Sequence, residues 1–458
     1  MNVVLISTYD LGRQPFGLSS PAAWLAARGH HVRCLDLAIE RIDESAVAGA
    51  GLIAFHIPMH TATRIAASFV ERVRRINRGA HLCFYGLYAP INEAYLRLLG
   101  AHSIIGGEFE AELVRLADRL PSNGAASPLE VGETVVSLAR QQFILPDRTD
   151  LPPLNKYAFV VTGHQKRRTT GYTEATRGCK HKCRHCPIVP VYQGHFRVIQ
   201  RDVVLADIRA QVEAGAEHIT FGDPDFFNGP GHATAVVEAL HREFPDLTYD
   251  VTIKIEHLLQ YRHLLPILKE TGCLFITSAV ESNDPIILDR LQKGHTVKDF
   301  VAAVTLCREN NLVLNPTFVT FTPWTTLESY YDLLKLIADL DLIDHVAPIQ
   351  FAIRLLIPSG SLLLELDEVR VMVDAFDKEK LCYPWRHEDQ QVDALFADVM
   401  AAIQIGQERG ESRRLVFKRI WALASQAADP GPQSRPIRFA LPAAPVDDIP
   451  YLSEPWYC

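Results

Sequence analysis

The chain has 458 residues, which at about 150 residues per domain allows two or three domains and a large core. Hydrophobic (48%), charged (22%) and aromatic (9%) shares are ordinary globular values and exclude a disordered tail-like protein. With 46 Lys and Arg against 54 Asp and Glu the net charge is only −8, so no nucleic-acid surface is expected. Met1 to Ser7 has no basic stretch leading into a long apolar run, and no segment approaches the roughly 20 apolar residues of a membrane span. The expectation is a cytoplasmic protein without membrane contact.

Short apolar runs at Val3 to Ile6, Val32 to Leu37, Leu52 to Ile57, Leu82 to Tyr85 and Ser103 to Gly106 alternate with helical patterns. This predicts an α/β module over 1–120, a flavodoxin-like or Rossmann-like parallel sheet. Ser20 as N-cap, Pro21 as first residue and Gly29 as terminator bracket a first crossover helix over Ala22 to Arg28. Residues 121–168, rich in Pro, Ser, Asp and Gly, read as a linker.

A second alternating series fills 169–360, with strands expected near 170–177, 218–222, 248–254, 274–280, 313–321 and 346–353. Six βα units predict a partial (β/α)6 barrel. Its first crossover helix should start at an Asp202 cap, bury Leu205, Ile208 and Val212 and end at Gly215. Strands then stop, and 361–428 reads as a small helical C-terminal appendage in which Val392, Leu395, Phe396, Val399, Met400 and Ile403 share one face. Residues 429–458 form a Pro-rich tail.

Nine cysteines are too few and too scattered for a disulfide framework, but Cys179, Cys183 and Cys186 fall within eight residues at C-x3-C-x2-C, after the first predicted barrel strand. Parallel βα folds keep their chemistry at that end. Three thiolates on one loop can hold three irons of a cubane cluster and leave the fourth open. The alternative is a zinc knuckle completed by His181 or His185, in a non-enzymatic iron–sulfur or zinc binding module. Lys180, Lys182 and Arg184 read as a solvated basic run. Lys254 and Glu256, two apart on the third strand with His257 following, should share a face, as cofactor contacts or as a structural ion pair.

The spacing, the loop position and the βα series resemble the radical S-adenosylmethionine (SAM) superfamily. The resemblance implies a 4Fe–4S cluster on Cys179, Cys183 and Cys186 whose open iron chelates SAM. It also implies a reductant such as ferredoxin or flavodoxin, and a 5′-deoxyadenosyl radical that abstracts hydrogen from a small-molecule or peptide substrate. His185 stands where an aromatic residue commonly precedes the third cysteine. The run Phe221 to Asp225 resembles the second-strand segment that meets the SAM amino group, which implies contacts from Gly222, Asp223, Pro224 and Asp225. Glu281 and Ser282, ending the fourth strand, are similar to the segment that reaches the ribose. Thr320 to Pro323 and Arg354 are further candidates at strand ends.

The amino-terminal module, with Gly106-Gly107-Glu108-Phe109-Glu110, resembles the cobalamin-binding-domain branch of that superfamily, where Gly-Glu-Gly-Glu is frequent. Cobalamin, and with it methyl transfer, is thereby admitted as a further cofactor call. No Asp-x-His-x-x-Gly motif occurs, and His56 and His60 read as packed or surface residues. The ending Glu454-Pro455-Trp456-Tyr457-Cys458 is similar to the tails of a subgroup reading Cys-Sec-Ala-Glu-Pro or Cys-Cys-Ala-Glu-Pro, so a selenoprotein continuing past Cys458 is an expectation.

Overall fold

The computed structural model describes residues 1–121, 134–428 and 449–454. Cys458 and the tail resemblance built on it lie outside the described residues, as do most of the tail prolines.

The first sheet has the order β2-β1-β3-β4-β5-β6, all parallel: β1 (Asn2–Ser7), β2 (His31–Asp36), β3 (Leu52–His56), β4 (His81–Tyr85), β5 (Ser103–Gly107) and β6 (Val135–Ser137). Strand side chains alternate between faces, and both faces are apolar here. Val4, Ile6, Ile53, Phe55 and Phe84 build one core, while Val3, Leu5, Leu52, Ala54, Cys83 and Tyr85 build the other. The five expected strands are all present, and β6 adds an edge from the stretch read as a linker.

The first helix differs from expectation: it spans Phe16–Ala27, with Pro21 inside it and not at its start. Proline lacks the N–H that would bond the carbonyl four residues earlier, leaving Gly17 O without its helical donor. The buried Tyr85 hydroxyl donates to that oxygen at 2.7 Å, and the supposed cap Ser20 donates instead to Glu110 Oε1. Tyr85→Phe is therefore expected to cost about 1–3 kcal/mol in urea unfolding, the usual penalty for a buried group left unpaired. An unchanged urea midpoint would show that Gly17 has another donor.

The second sheet curls into a half-barrel in the order β14-β13-β12-β11-β8-β7-β15. Its parallel strands are β8 (Lys166–Thr173), β11 (His218–Phe221), β12 (Thr248–Thr252), β13 (Cys273–Glu281) and β14 (Val313–Phe318). At the outer edge β7 (Phe159–Thr162) pairs antiparallel with β8, and β15 (Tyr451–Leu452) pairs antiparallel with β7. A small hairpin of β9 (Thr176–Gly178) and β10 (Phe196–Val198) follows β8, so the expected strand 170–177 is two elements with a break at 174–175.

The sixth expected strand, 346–353, is a correction. Pro348–Ala352 forms a 3-10 helix, since Pro348 has no N–H for a ladder. Of the sixth strand only the parallel bridge Phe321 to Arg354 survives. The helix after β10 spans Arg201–Glu213 with Gln200 at its cap, so Asp202 sits in the first turn and does not cap; Gly215 follows with φ +96°. The C-terminal helices Gln390–Glu408 and Arg413–Ala428 bury Val399, Phe417 and Ile420 in the core of the half-barrel, with the Phe351 and Phe417 rings 5.3 Å apart. Met400, expected on the buried face, is exposed. Among the described residues no helix is long and apolar enough to cross a membrane.

Candidate functional site

The carboxyl ends of β8, β11, β12 and β13 converge on the cysteine loop. Its approach is fixed by Asp223, whose carboxylate accepts from Ala175 N at 2.9 Å and from Thr176 Oγ1 at 2.5 Å. Burial pushes Asp223 up to about 7 against the pull of those donors. Expected to meet an ammonium group, Asp223 spends both oxygens on the Ala175 N–H and the Thr176 hydroxyl at the start of β9. The turn into the loop needs glycine at 178, where φ is +74° and an added Cβ would stand 2.3 Å from the Tyr192 ring.

Cys179 and Cys183 are buried and Cys186 is partly so. Asn228, just past β11, ties the loop down: its Oδ1 accepts from Lys180 N at 3.3 Å and lies 3.8 Å from Cys179 Sγ, and its Nδ2 donates to Gly178 O. Burial pushes the Cys179 thiol up to about 11 and the Cys186 thiol up to about 12. Thiolates in such a place need a strong positive partner, and a metal cluster supplies one. The donor set therefore fits an iron–sulfur group; burial opposes the charge on Lys293, but Glu281 and then Cys183 and Cys186 raise its pKa.

Glu281 ends β13 at a register shift, in left-handed backbone (φ 69°) that a bulky residue seldom adopts. The bulge turns its carboxylate toward the loop. It lies 3.1 Å from His185 Nε2 and 3.0 Å from Lys293 Nζ. Burial opposes its ionisation, but Lys293 and His185 outweigh it and hold the carboxyl well below the usual range. Ser278 Oγ, Glu281 Oε2 and His185 Nδ1 are buried without a partner. Orphaned polar atoms beside the loop fit a polar ligand such as SAM. Lys293 had no sequence signal, since its role rests on a helix ending at Leu291 that swings it back onto β13.

The other expected contacts are distributed as follows. Gly222 is a close-approach glycine, since an added Cβ would lie 1.8 Å from Tyr172 Oη. Pro224 is half-buried. Asp225 Oδ1 caps Phe227 N, and its Oδ2 faces His181 and His257. Ser282 Oγ accepts from Asp284 N. β12 ends at Thr252, so strand alternation does not govern Lys254 and Glu256; Lys254 starts the helix Ile255–Gln260 and still reaches Glu256 at 3.4 Å. Thr322 is engaged with Thr325, and Thr320 is within 3.3 Å of Ile353 O. Arg354 is committed away from the loop, donating to Asp393 at 2.7 Å and to Trp385 O at 2.9 Å while stacked 3.8 Å over the Trp385 ring.

Where the first sheet meets the loop, Arg177 is buried among carboxylates. Nη1 donates to Glu110 Oε2 at 3.0 Å, Nη2 lies 2.7 Å from Glu110 Oε1, and Nε donates to Glu174 at 2.5 Å. Glu108, 3.7 Å from Arg177, accepts from Tyr192 Oη, and burial pushes it up to about 7. Burial also opposes the charge on Glu110, but Arg177 prevails and lowers its pKa.

Open α/β sheets take ligands at the switch point, here between the carboxyl ends of β1 and β3. His56 ends β3, and its ring sits 5.2 Å from Tyr85 and 5.9 Å from Phe109. A Cβ added at Gly17 would stand 2.1 Å from it. Burial, then the Arg177 charge, keep His56 neutral, down to about 3. Arg177 stacks 4.8 Å over Phe109. The chain's own rings pack closely in this crevice.

Residues 173–337 match the radical SAM superfamily. The half-barrel with its cysteine loop is the part of the chain that matches, and members of that superfamily use a 4Fe–4S cluster and SAM. Two solved structures share the wider architecture. The cobalamin-dependent S-adenosylmethionine radical enzyme OxsB, with aqua-cobalamin and S-adenosylmethionine bound, superposes with a TM-score of 0.68 at 13% identity, covering 91% of this chain and 71% of that one. The radical S-adenosylmethionine methyltransferase TsrM from Kitasatospora setae, with tryptophan substrate and a SAM analog, gives 0.61 at 16% identity, covering 82% and 79%. A curated relative, tRNA-2-methylthio-N(6)-dimethylallyladenosine synthase of Chlorobium limicola, is 26% identical over 170 residues. That match spans 35% of this chain and only 38% of the relative.

Proposed function

We propose that the protein cleaves SAM reductively at a cluster held by Cys179, Cys183 and Cys186 and uses the product radical for hydrogen abstraction from a small-molecule or peptide substrate. One observation carries the reading: the thiol loop is joined through His185 to Glu281, whose second oxygen is buried and unpaired. When bound, the reduced cluster supplies the electron that splits SAM into methionine and a 5′-deoxyadenosyl radical. Glu281 offers an acceptor for ribose hydroxyls, and Lys293 holds that carboxylate in place. Lys254 and Ser282 border this site from the ends of β12 and β13. A ferredoxin or flavodoxin fits as the electron donor.

The test is anaerobic reconstitution with iron and sulfide, then dithionite and SAM. Release of 5′-deoxyadenosine and methionine is expected. A fully loaded protein that releases neither would overturn the reading, and a colourless protein holding one zinc on the loop would favour the binding-module alternative.

Methyl transfer through cobalamin is the option that the closely packed switch point disfavours. Protein made in corrin-replete cells and desalted is expected to carry no corrin absorption band, whereas one equivalent retained would restore that option.

A further inference from the structure

Beside the cysteine loop, three segments remote in sequence bring together His181, Asp225 and His257. His181 lies between the first two loop cysteines, Asp225 follows β11, and His257 lies in the helix after β12. One nitrogen from each histidine and one carboxylate oxygen all lie within 4.8 Å of one another. None of the three is explained by cluster ligation or by the SAM contacts assigned above.

The arrangement of the two rings is the telling feature. His257 Nδ1 lies 2.6 Å from Asp225 Oδ2, and His181 Nδ1 lies 3.5 Å from Glu256 Oε2. The two Nε2 atoms face each other at 3.2 Å. At that separation the two nitrogens either share one proton or hold a cation between them.

Burial strengthens the case. The Asp225 and His257 side chains are 0% and 1% exposed, and Asp225 Oδ2 and His257 Nδ1 have no well-directed hydrogen bond despite their approach. Asp225 Oδ2 lies 3.6 Å from His181 Nε2. Two ligands at 2.0–2.1 Å from one tetrahedral ion stand about 3.3 Å apart, close to the separations of 3.2 and 3.6 Å found here.

We propose that His181 and His257, with Asp225 as third ligand and Glu256 behind His181, bind one divalent transition-metal ion of the zinc class, separate from the cysteine-bound cluster. Mixed nitrogen and oxygen donors suit zinc, iron(II) or cobalt(II) and disfavour calcium or magnesium. Such an ion would pin the cysteine loop to the ends of β11 and β12 and withdraw Asp225 from SAM binding, where the sequence placed it.

The test uses the full chain, loaded with its cluster first, then exposed to a small excess of zinc and desalted. Iron and zinc are counted together by mass spectrometry, and the zinc environment is read by X-ray absorption. The expected result is one zinc per chain, ligated by nitrogen and oxygen near 2.0 Å without a sulfur shell. His257→Gln and the near-isosteric Asp225→Asn should each lower zinc retention about tenfold or more while iron content and melting temperature hold. If His257→Gln proves unstable, Asp225→Asn alone decides. No zinc on the wild type, equal zinc on Asp225→Asn, or a sulfur shell near 2.3 Å, which would put the ion on the cysteine loop, each overturns the proposal. SAM cleavage is not read, so this result is independent of the proposed activity.

Discussion

Cys183→Ala is expected to abolish cluster loading and with it 5′-deoxyadenosine release. The loss should exceed the roughly 100-fold that removing an outer metal partner can cause, because a direct ligand is gone. Alanine should spare the fold, since Cys183 contributes to the loop through its carbonyl, which accepts from Cys186 N at 3.1 Å. Cys179 and Cys186 would remain, and two thiolates cannot cover three corners of a cubane. Cys382→Ala is the control, a partly buried thiol on a separate bridge to Asp377. Near-normal iron and product in Cys183→Ala would sink the ligand assignment.

Arg177→Met should destabilise the protein by about 3–5 kcal/mol, the usual cost of removing one partner from a buried ion cluster. Methionine preserves much of the volume but leaves Glu108 and Glu110, 1% and 0% exposed, without their cation. Both face a low-dielectric surround, so uptake of a proton should recover part of the loss below neutral pH. The sign follows from burial: a carboxyl whose folded pKa is raised above its unfolded value destabilises the fold once pH rises through the raised value. Urea unfolding at pH 5.5 and pH 8 checks this, with the larger deficit expected at pH 8. A deficit below about 1 kcal/mol at both would mean that the pair contributes little beyond packing. Because Arg177 stands two residues before Cys179, iron loading should fall as well.

Much of the architecture was readable from local pattern. Runs such as Leu52 to Ile57 are apolar on both faces, which a parallel sheet covered on each side requires. The thiol loop was readable because its ligands are neighbours in sequence. What escaped depends on partners far along the chain. Pro21 looked like the first residue of a helix because nothing local reveals that the Tyr85 hydroxyl, 68 residues beyond Gly17, takes the orphaned carbonyl. Arg177 reads as one more basic residue until Glu110, 67 positions earlier, folds against it. The His181 and His257 pair is 76 residues apart, and charge alone does not say that an Asp225 oxygen faces both rings. Glu281 was legible as a residue type, but its left-handed backbone and its grip on Lys293 were not.

The pairing of β15 with β7 sets a timetable for synthesis. Ser453 Oγ accepts from Phe159 N across 294 residues. At about 5–20 residues per second, a ribosome needs roughly 15 to 60 s between making the two strands. Throughout that interval the outer edge of β7 is open to strands of other chains. The Lys166-Arg167-Arg168 run of the neighbouring β8, with Arg167 stacked 4.5 Å over Phe159, places positive charge next to β7 while it waits. The nascent chain thus carries its own guard against strand exchange until residues 449–454 emerge to dock.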